Sequence, residues 1–308
     1  MVGYRAAAVA ALLYATTGVL AQQPDREPRA STLPKPSSEE PRAVVTLANY
    51  RYDDLLWEND RTAHRIYGHP LEAAEPPSGS GIDSWGKSVR WPFADRQLRT
   101  GDQHANHGEG LDFYNVGTTR GAGGIGIWQD NKLWTSRNYV SYTINSTGGT
   151  AADFSVTYAP WPVGVDRKVW ETRRFTLPLG TQFTRLVSTL SSDRPEPLVV
   201  GIGIGKLTTG GKRGELTVDK AHGLISWWGP DDGDHGRMAI ALKVDPRLIV
   251  RIGADADNEL VFIRVSPGQP FAYYSGSAWS KGEGGFATRA AWDAYVLHEP
   301  VDFATSGR

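Results

Sequence analysis

The 308-residue chain contains no cysteine and only two methionines. Without cysteine there is no disulfide, no thiolate metal ligand and no lipid anchor of the kind carried on an N-terminal cysteine. An exported form must therefore rest on its apolar core alone. A charge excess of either sign is also missing, with 33 Lys and Arg against 34 Asp and Glu. That balance supplies no broad attraction to nucleic acid or to an acidic membrane surface, so no nucleic-acid partner is expected. No apolar run reaches the ~20 residues needed to cross a bilayer. The run from Ala6 to Tyr14 follows Arg5 and precedes Gly18-Val19-Leu20-Ala21, the tripartite pattern of an export signal. Residues 1–21 therefore read as a signal peptide, which predicts a secreted or periplasmic protein without a membrane anchor. Residues 22–42, rich in Pro, Ser, Glu and Arg, read as a disordered linker. Residues 43–308 read as one domain, long enough to bury a large core.

Helical periodicity is scarce as well. It is legible only from Thr288 to Leu297, where Ala290, Ala291, Ala294 and Leu297 share a face. What fills the chain instead is a series of short β-type runs. Among them are Ala43–Leu47, Tyr139–Ile144, Asp153–Tyr158, Lys168–Leu177, Thr181–Leu190, Pro197–Gly205, Met238–Val244 and Leu260–Val265. Turn signals such as Gly148-Gly149, Gly210-Gly211 and Asp257-Asn258 punctuate them. The expected fold is all-β, a large antiparallel β-sandwich with a short C-terminal helix. Eleven Trp and twelve Tyr are a high complement. Their flat apolar faces and polar edges suit either a sandwich core or the faces of sugar rings.

Chemistry concentrates between Glu58 and Trp128, which reads as loop-rich. The densest part is Asp102 to Tyr114, holding His104, His107, Glu109, Asp112 and Tyr114. Imidazoles, carboxylates and a phenol are the groups that exchange protons with a substrate near neutrality. These five are the candidate catalytic residues. His104, His107 and Glu109 are also a candidate ligand set for a divalent metal, although their spacing is not that of a helical zinc motif. A hydrogen-bonded loop that only supports the sandwich is the structural alternative. Asn59, Arg61, Asp83, Trp85, Lys87 and Arg90 form the next charged and aromatic group, with Arg137 and Trp279 further on; all are candidates for substrate binding. Lys and Arg among them suit a sugar carboxylate, which guanidinium binds in a bidentate manner. Glu171 and Arg173, with Arg185, are expected either on a concave substrate floor or on a solvated face. The Gly121–Gly126 run lacks the strand–turn–helix context of a dinucleotide site.

Several stretches in order resemble one bacterial family, domain of unknown function 4861. They are Trp57–Gly68, Gly81–Lys87, His104–Gly117, Gly121–Gly124, Ser136–Asn138, Thr176–Gly180 and Tyr273–Ser280. The likeness runs from about Val44 to the end. Gln103 stands where an aromatic residue is expected before His104. The resemblance implies a galactose-mutarotase-like supersandwich, and a secreted protein associated with degradation of pectic and other uronate-containing glycans. The reading carried forward is a carbohydrate-active enzyme, a lyase or hydrolase, whose partner is a uronate-containing oligosaccharide or polysaccharide. A non-catalytic binding protein and a sugar epimerase or mutarotase are the alternatives.

Overall fold

The computed structural model describes residues 33–305. The export signal and the first half of the linker lie outside the described residues. Residues 33–42 form neither helix nor strand, and the Pro34 carbonyl accepts a hydrogen bond from Arg96 Nη1 at 2.7 Å.

The expectation of an antiparallel sandwich holds. One sheet runs through β1 (Val44–Ala48), β2 (Asp54–Glu58), β3 (Ala63–Ile66), β4 (Asp83–Lys87) and β5 (Gly110–Leu111) in chain order. An eight-stranded sheet is ordered Glu215–Asp219, Leu224–Trp228, Met238–Val244, Pro270–Trp279, Phe183–Ser192, Arg167–Pro178, Ala151–Val163 and Ser141–Ser146. A second five-stranded sheet is ordered Ile249–Ala254, Asn258–Val265, Leu198–Gly205, Ala122–Gln129 and Lys132–Trp134. Neighbouring strands in all three sheets pair antiparallel.

Alternation explains the packing. In Arg167–Pro178 the residues Val169, Glu171, Arg173, Phe175 and Leu177 are buried, while their neighbours face outward. Successive strand side chains point to opposite faces, so this set meets the core. Phe154 and Phe175 stack with ring centroids 4.6 Å apart. Trp57 of β2 tilts against both, and its Nε1 donates to Thr184 Oγ1 at 3.0 Å. The first sheet is thereby held on the core shared by the other two.

The C-terminal helix is Arg289–His298, one residue offset from its expected range. Thr288 caps it, its Oγ1 accepting from the Ala291 amide. Trp292 and Val296 are buried beside Phe183 and Trp228. The stretch read as loop between Glu58 and Trp128 is more ordered than expected. Besides strands, it carries α1 (Leu71–Ala74) and α2 (Ala94–Arg99). The α2 N-terminus is satisfied by a residue distant in sequence. Glu58 Oε1 accepts from the amides of Phe93 and Ala94 at 3.0 and 2.9 Å. An amide satisfied from 35 residues away leaves no cap pattern in the local sequence.

The expectations for Glu171 and Arg173 are corrected. Glu171 and Arg173 are sealed between the sheets at 1% and 0% exposure, so they form neither a substrate floor nor a solvated face. Arg173 Nε and Nη2 donate to the Glu171 carboxylate at 2.7 and 2.9 Å, and Ser188 adds a hydroxyl at 2.7 Å. Arg185 points to the other face of the sheet and donates from Nε to the Asp302 carbonyl.

Candidate functional site

The site residues are positioned by β3, β4 and the segment following β5. At their centre Arg65 is buried, and three aspartates surround it. Arg65 Nη2 lies 2.8 Å from Asp83 Oδ2 and 2.9 Å from Asp112 Oδ2. Its Nη1 lies 3.9 Å from Asp54 Oδ2, too far for a hydrogen bond. Asp83 also accepts from Trp85 Nε1 at 3.0 Å, from the Ser84 amide at 2.8 Å and from the Tyr67 hydroxyl at 3.3 Å.

Three carboxyls around one guanidinium cannot all ionise cheaply in a buried place. Burial, working against Arg65 and Arg51, pushes the Asp54 carboxyl up to about 7. Burial and the neighbouring Asp83 raise Asp112 well above the usual carboxylate range. Burial, then Asp83, raises Tyr67 as well, so its phenol stays protonated.

Above this network opens a polar cleft of about 390 Å³, lined in part by Arg51, Arg65, Tyr67, Gln103, His104 and Asn115. The volume falls in the ~300–1,000 Å³ range of small-molecule sites. His104 stands at its rim with its side chain 67% exposed. Its Nδ1 lies 2.8 Å from the Asp112 carbonyl oxygen. A carbonyl can only accept, so Nδ1 carries the hydrogen and Nε2 holds the lone pair. Gln103 Nε2 donates to that Nε2 at 3.1 Å. The loop is closed by the Asp112 amide donating to the Gln103 carbonyl at 2.9 Å. Across the cleft Arg51 donates from Nη2 to Glu75 at 2.7 Å. Arg51 Nη1 and Arg65 Nη1 are both buried without a hydrogen-bond partner.

The residues singled out in the sequence divide into separate groups. His104 and Asp112 share the cleft and its floor, and Asp83 and Trp85 belong to the same network. Tyr114 does not join them. It is buried against Trp227 and faces a second cleft on the other side of its segment. His107 points elsewhere, with Nε2 at 3.2 Å from the Asp102 carbonyl. Glu109 is held by Arg96 in a two-pronged ion pair.

The metal expectation is corrected on the same geometry. Each of the three donors is directed at a different partner, Asp112, Asp102 and Arg96. Among the described residues no three His, Asp or Glu side chains gather in a way that could hold a metal ion. The residues do not fit a metal centre.

Lys87 is also corrected. It is 1% exposed, and Nζ donates to Glu58 at 2.5 Å and to the Trp91 carbonyl at 2.6 Å. Burial lowers its pKa even against the pull of Glu58. It braces α2 and is out of reach of a substrate. Asn59 is buried too; its side chain bonds the Pro178 and Thr181 carbonyls and the Arg61 and Thr62 amides. Arg61 and Arg90 both approach Asp60, at 3.5 and 3.3 Å. Arg137 pairs with Glu72 on the surface. Trp279 is buried and donates to the His235 carbonyl at 2.6 Å. None of these six lines the polar cleft.

Arg51, Asp54, Arg65 and Tyr67 were missed as individual site residues. A signal existed in Ala63-His64-Arg65-Ile66, a strand-length run that breaks polar–apolar alternation. Such a run buries ionisable groups, and buried ionisable groups mark sites.

The fold and site define an antiparallel β-sandwich that presents a cation-bearing polar cleft on its first sheet. The chain belongs to the family described as domain of unknown function DUF4861, whose model matches residues 6–303. It is 30% identical over 262 residues to uncharacterized protein P7 of Formosa agariphila, a match covering 80% of this chain and 64% of that protein. Among solved structures it is similar to the GH36 alpha-galactosidase AgaB from Geobacillus stearothermophilus. That match has 10% identity and a TM-score of 0.36, over 76% of this chain and 41% of the other. For AgaA of the same organism the identity is 10% and the TM-score 0.32, over 73% and 40%. The chain thus spans under two thirds of the length of each of these proteins.

Proposed function

We propose that this is a secreted or periplasmic carbohydrate-active protein whose polar cleft binds the carboxylate of a uronate-containing oligosaccharide and promotes elimination at that unit. The observation that carries the reading is that two guanidinium side chains, Arg51 and Arg65, line one polar cleft together with Tyr67 and His104. Guanidinium is the group best matched to a carboxylate. The resemblance noted in the sequence, which implies a role in degradation of uronate-containing glycans, supports the same class of substrate.

The remaining groups fit proton transfer around a held carboxylate. A carboxylate bonded to two cations withdraws charge from the adjacent carbon and makes its proton acidic. The lone pair on His104 Nε2, once released by the Gln103 amide that donates to it, takes that proton. The electrons form the new carbon–carbon double bond as the bond to the neighbouring sugar oxygen breaks. Tyr67, kept protonated, gives its proton to that leaving oxygen, and solvent carries the proton from His104 back to the phenol. Elimination is favoured over hydrolysis because Asp54, Asp83 and Asp112 are all buried beneath the cleft. A hydrolase needs two carboxyls that reach the glycosidic bond.

The test is incubation with a panel of uronate oligosaccharides, followed by ultraviolet absorbance and mass analysis. Elimination yields a conjugated unsaturated product with no water added. Hydrolysis yields reducing ends with water added. Product of unchanged mass identifies an epimerase, and binding without turnover identifies a non-catalytic module. No binding to any member of the panel refutes the carbohydrate reading.

A further inference from the structure

The segment after β5 has clefts on both sides. Asn115 and Gly117 line the polar cleft, and they also line a second cleft of about 390 Å³. Its walls include Tyr114, Lys206, Trp227 and Asp232. The two clefts thus share a crest on which Asn115 and Gly117 are exposed and Val116 is buried. Gly117 sits on that crest at φ +51, so its position there carries no side chain to obstruct a ligand lying across it.

The second cleft is built for hydroxyl groups. Tyr114 is 2% exposed, and its buried hydroxyl makes no hydrogen bond within ordinary distance and angle limits, although the Gly205 amide, which donates to the Gly121 carbonyl, also acts on it. The lining also includes Trp227, Met238 and Val116, together with the hydroxyl-bearing Thr118, Thr119, Thr208 and Thr209. An unpaired buried hydroxyl is a defect unless a ligand completes it. Asp232 offers a fixed acceptor, because His235 Nδ1 holds its Oδ2 at 2.9 Å. Lys206 is likewise fixed, donating to the Asp255 carbonyl at 2.6 Å.

We propose that this second cleft is the subsite for the neighbouring unit of the same oligosaccharide, which crosses the Asn115–Gly117 crest with its uronate in the polar cleft. The proposal rests on the carboxylate reading of the first cleft and adds chain-length recognition to it. Tyr114 and Asp232 then act on affinity for longer chains and take no part in the proton transfers.

The experiment is calorimetry on the full chain with galacturonate, glucuronate and mannuronate, each as monomer, dimer and trimer. One well-made hydrogen bond corresponds to roughly tenfold in affinity. The dimer of the preferred sugar is expected to bind at least about tenfold tighter than its monomer. In Tyr114→Phe and in Asp232→Asn that ratio is expected to fall to within about threefold of unity. Tyr114→Phe removes only an unpaired oxygen, so the melting temperature is expected to hold, which separates a subsite effect from misfolding. Monomer binding with no gain for the dimer overturns the subsite and leaves the first cleft standing. A gain that both variants keep places the second unit elsewhere and also overturns it. Absence of binding by every sugar overturns both readings.

Discussion

His104 Nδ1 lies 2.8 Å from the carbonyl oxygen of Asp112. This one contact assigns the imidazole tautomer and leaves the Nε2 lone pair to accept from the Gln103 amide at the cleft rim. It also ties the rim of the cleft to the residue whose carboxyl sits on Arg65 beneath it.

Replacing His104 by Ala is expected to lower turnover by at least ~100-fold, the usual size of one acid/base group. Its side chain is largely exposed, so thermal stability should hardly change. The check is kcat/KM alongside a thermal melt. Full activity in the variant removes His104 from the mechanism.

Tyr67→Phe is expected to lower kcat by ~100-fold or more with little change in KM, since only the leaving oxygen loses its proton source. The loss should shrink on a uronate whose expelled oxygen, on the carbon next to the deprotonated one, carries an aryl group and so departs without protonation. An equal loss on both substrates points to a positioning role.

Arg65→Ala is expected to destabilise by about 3–5 kcal/mol, because it leaves three buried carboxyls without their cation. Arg65→Lys should recover part of the stability and little of the saccharide binding, since an ammonium cannot reach a bidentate geometry. Chemical denaturation and calorimetry on the same samples separate the two effects.

Asp54 sets a pH dependence of known sign. Its carboxyl is raised from 3.8 to about 7 in the fold. The folded state therefore binds more protons than the unfolded chain between those values. The contribution is fully present below about 3.8 and is lost as pH rises through about 7. Asp112, also raised, acts in the same direction. The difference in melting temperature between Asp54→Asn and the parent should therefore grow in the variant's favour from pH 4 to pH 7, over a few degrees. A difference that is flat across that window contradicts the assignment.

Lys87→Met is expected to cost about 3–5 kcal/mol, because the Glu58 carboxylate is left buried without its partner. Saccharide affinity per folded molecule should be unchanged. The double change Lys87→Met with Glu58→Gln should recover part of the loss, since the glutamine can still accept from the Phe93 and Ala94 amides. A variant that folds normally but has lost uronate binding restores Lys87 to the site.

Much of the fold was legible in the residues. Turn signals and β-branched runs marked most strands, and Thr288 with the spacing of Ala291, Ala294 and Leu297 marked the last helix. The alternation in Lys168–Leu177 even held the answer for Glu171 and Arg173, because they share a face with Val169 and Phe175. Their charge argued for solvent, and the mutual ion pair that admits them to the core cannot be seen from their spacing. The short helix α2 was invisible because its end is satisfied by Glu58, on a different strand.

The candidate site divided along the same line. Composition and local order alone determined an all-β chain with a proton-exchanging segment around His104, since periodicity and side-chain chemistry are properties of neighbours in sequence. Only the tertiary structure decided which of those groups meet. It brought Arg65 from β3, Asp83 from β4 and Asp112 from beyond β5 onto one guanidinium, and it turned Tyr114, His107 and Glu109 to other partners. Charges and hydrogen bonds act through space, and the distances that govern them arise when antiparallel strands fold residues 18 and 47 positions apart against one another.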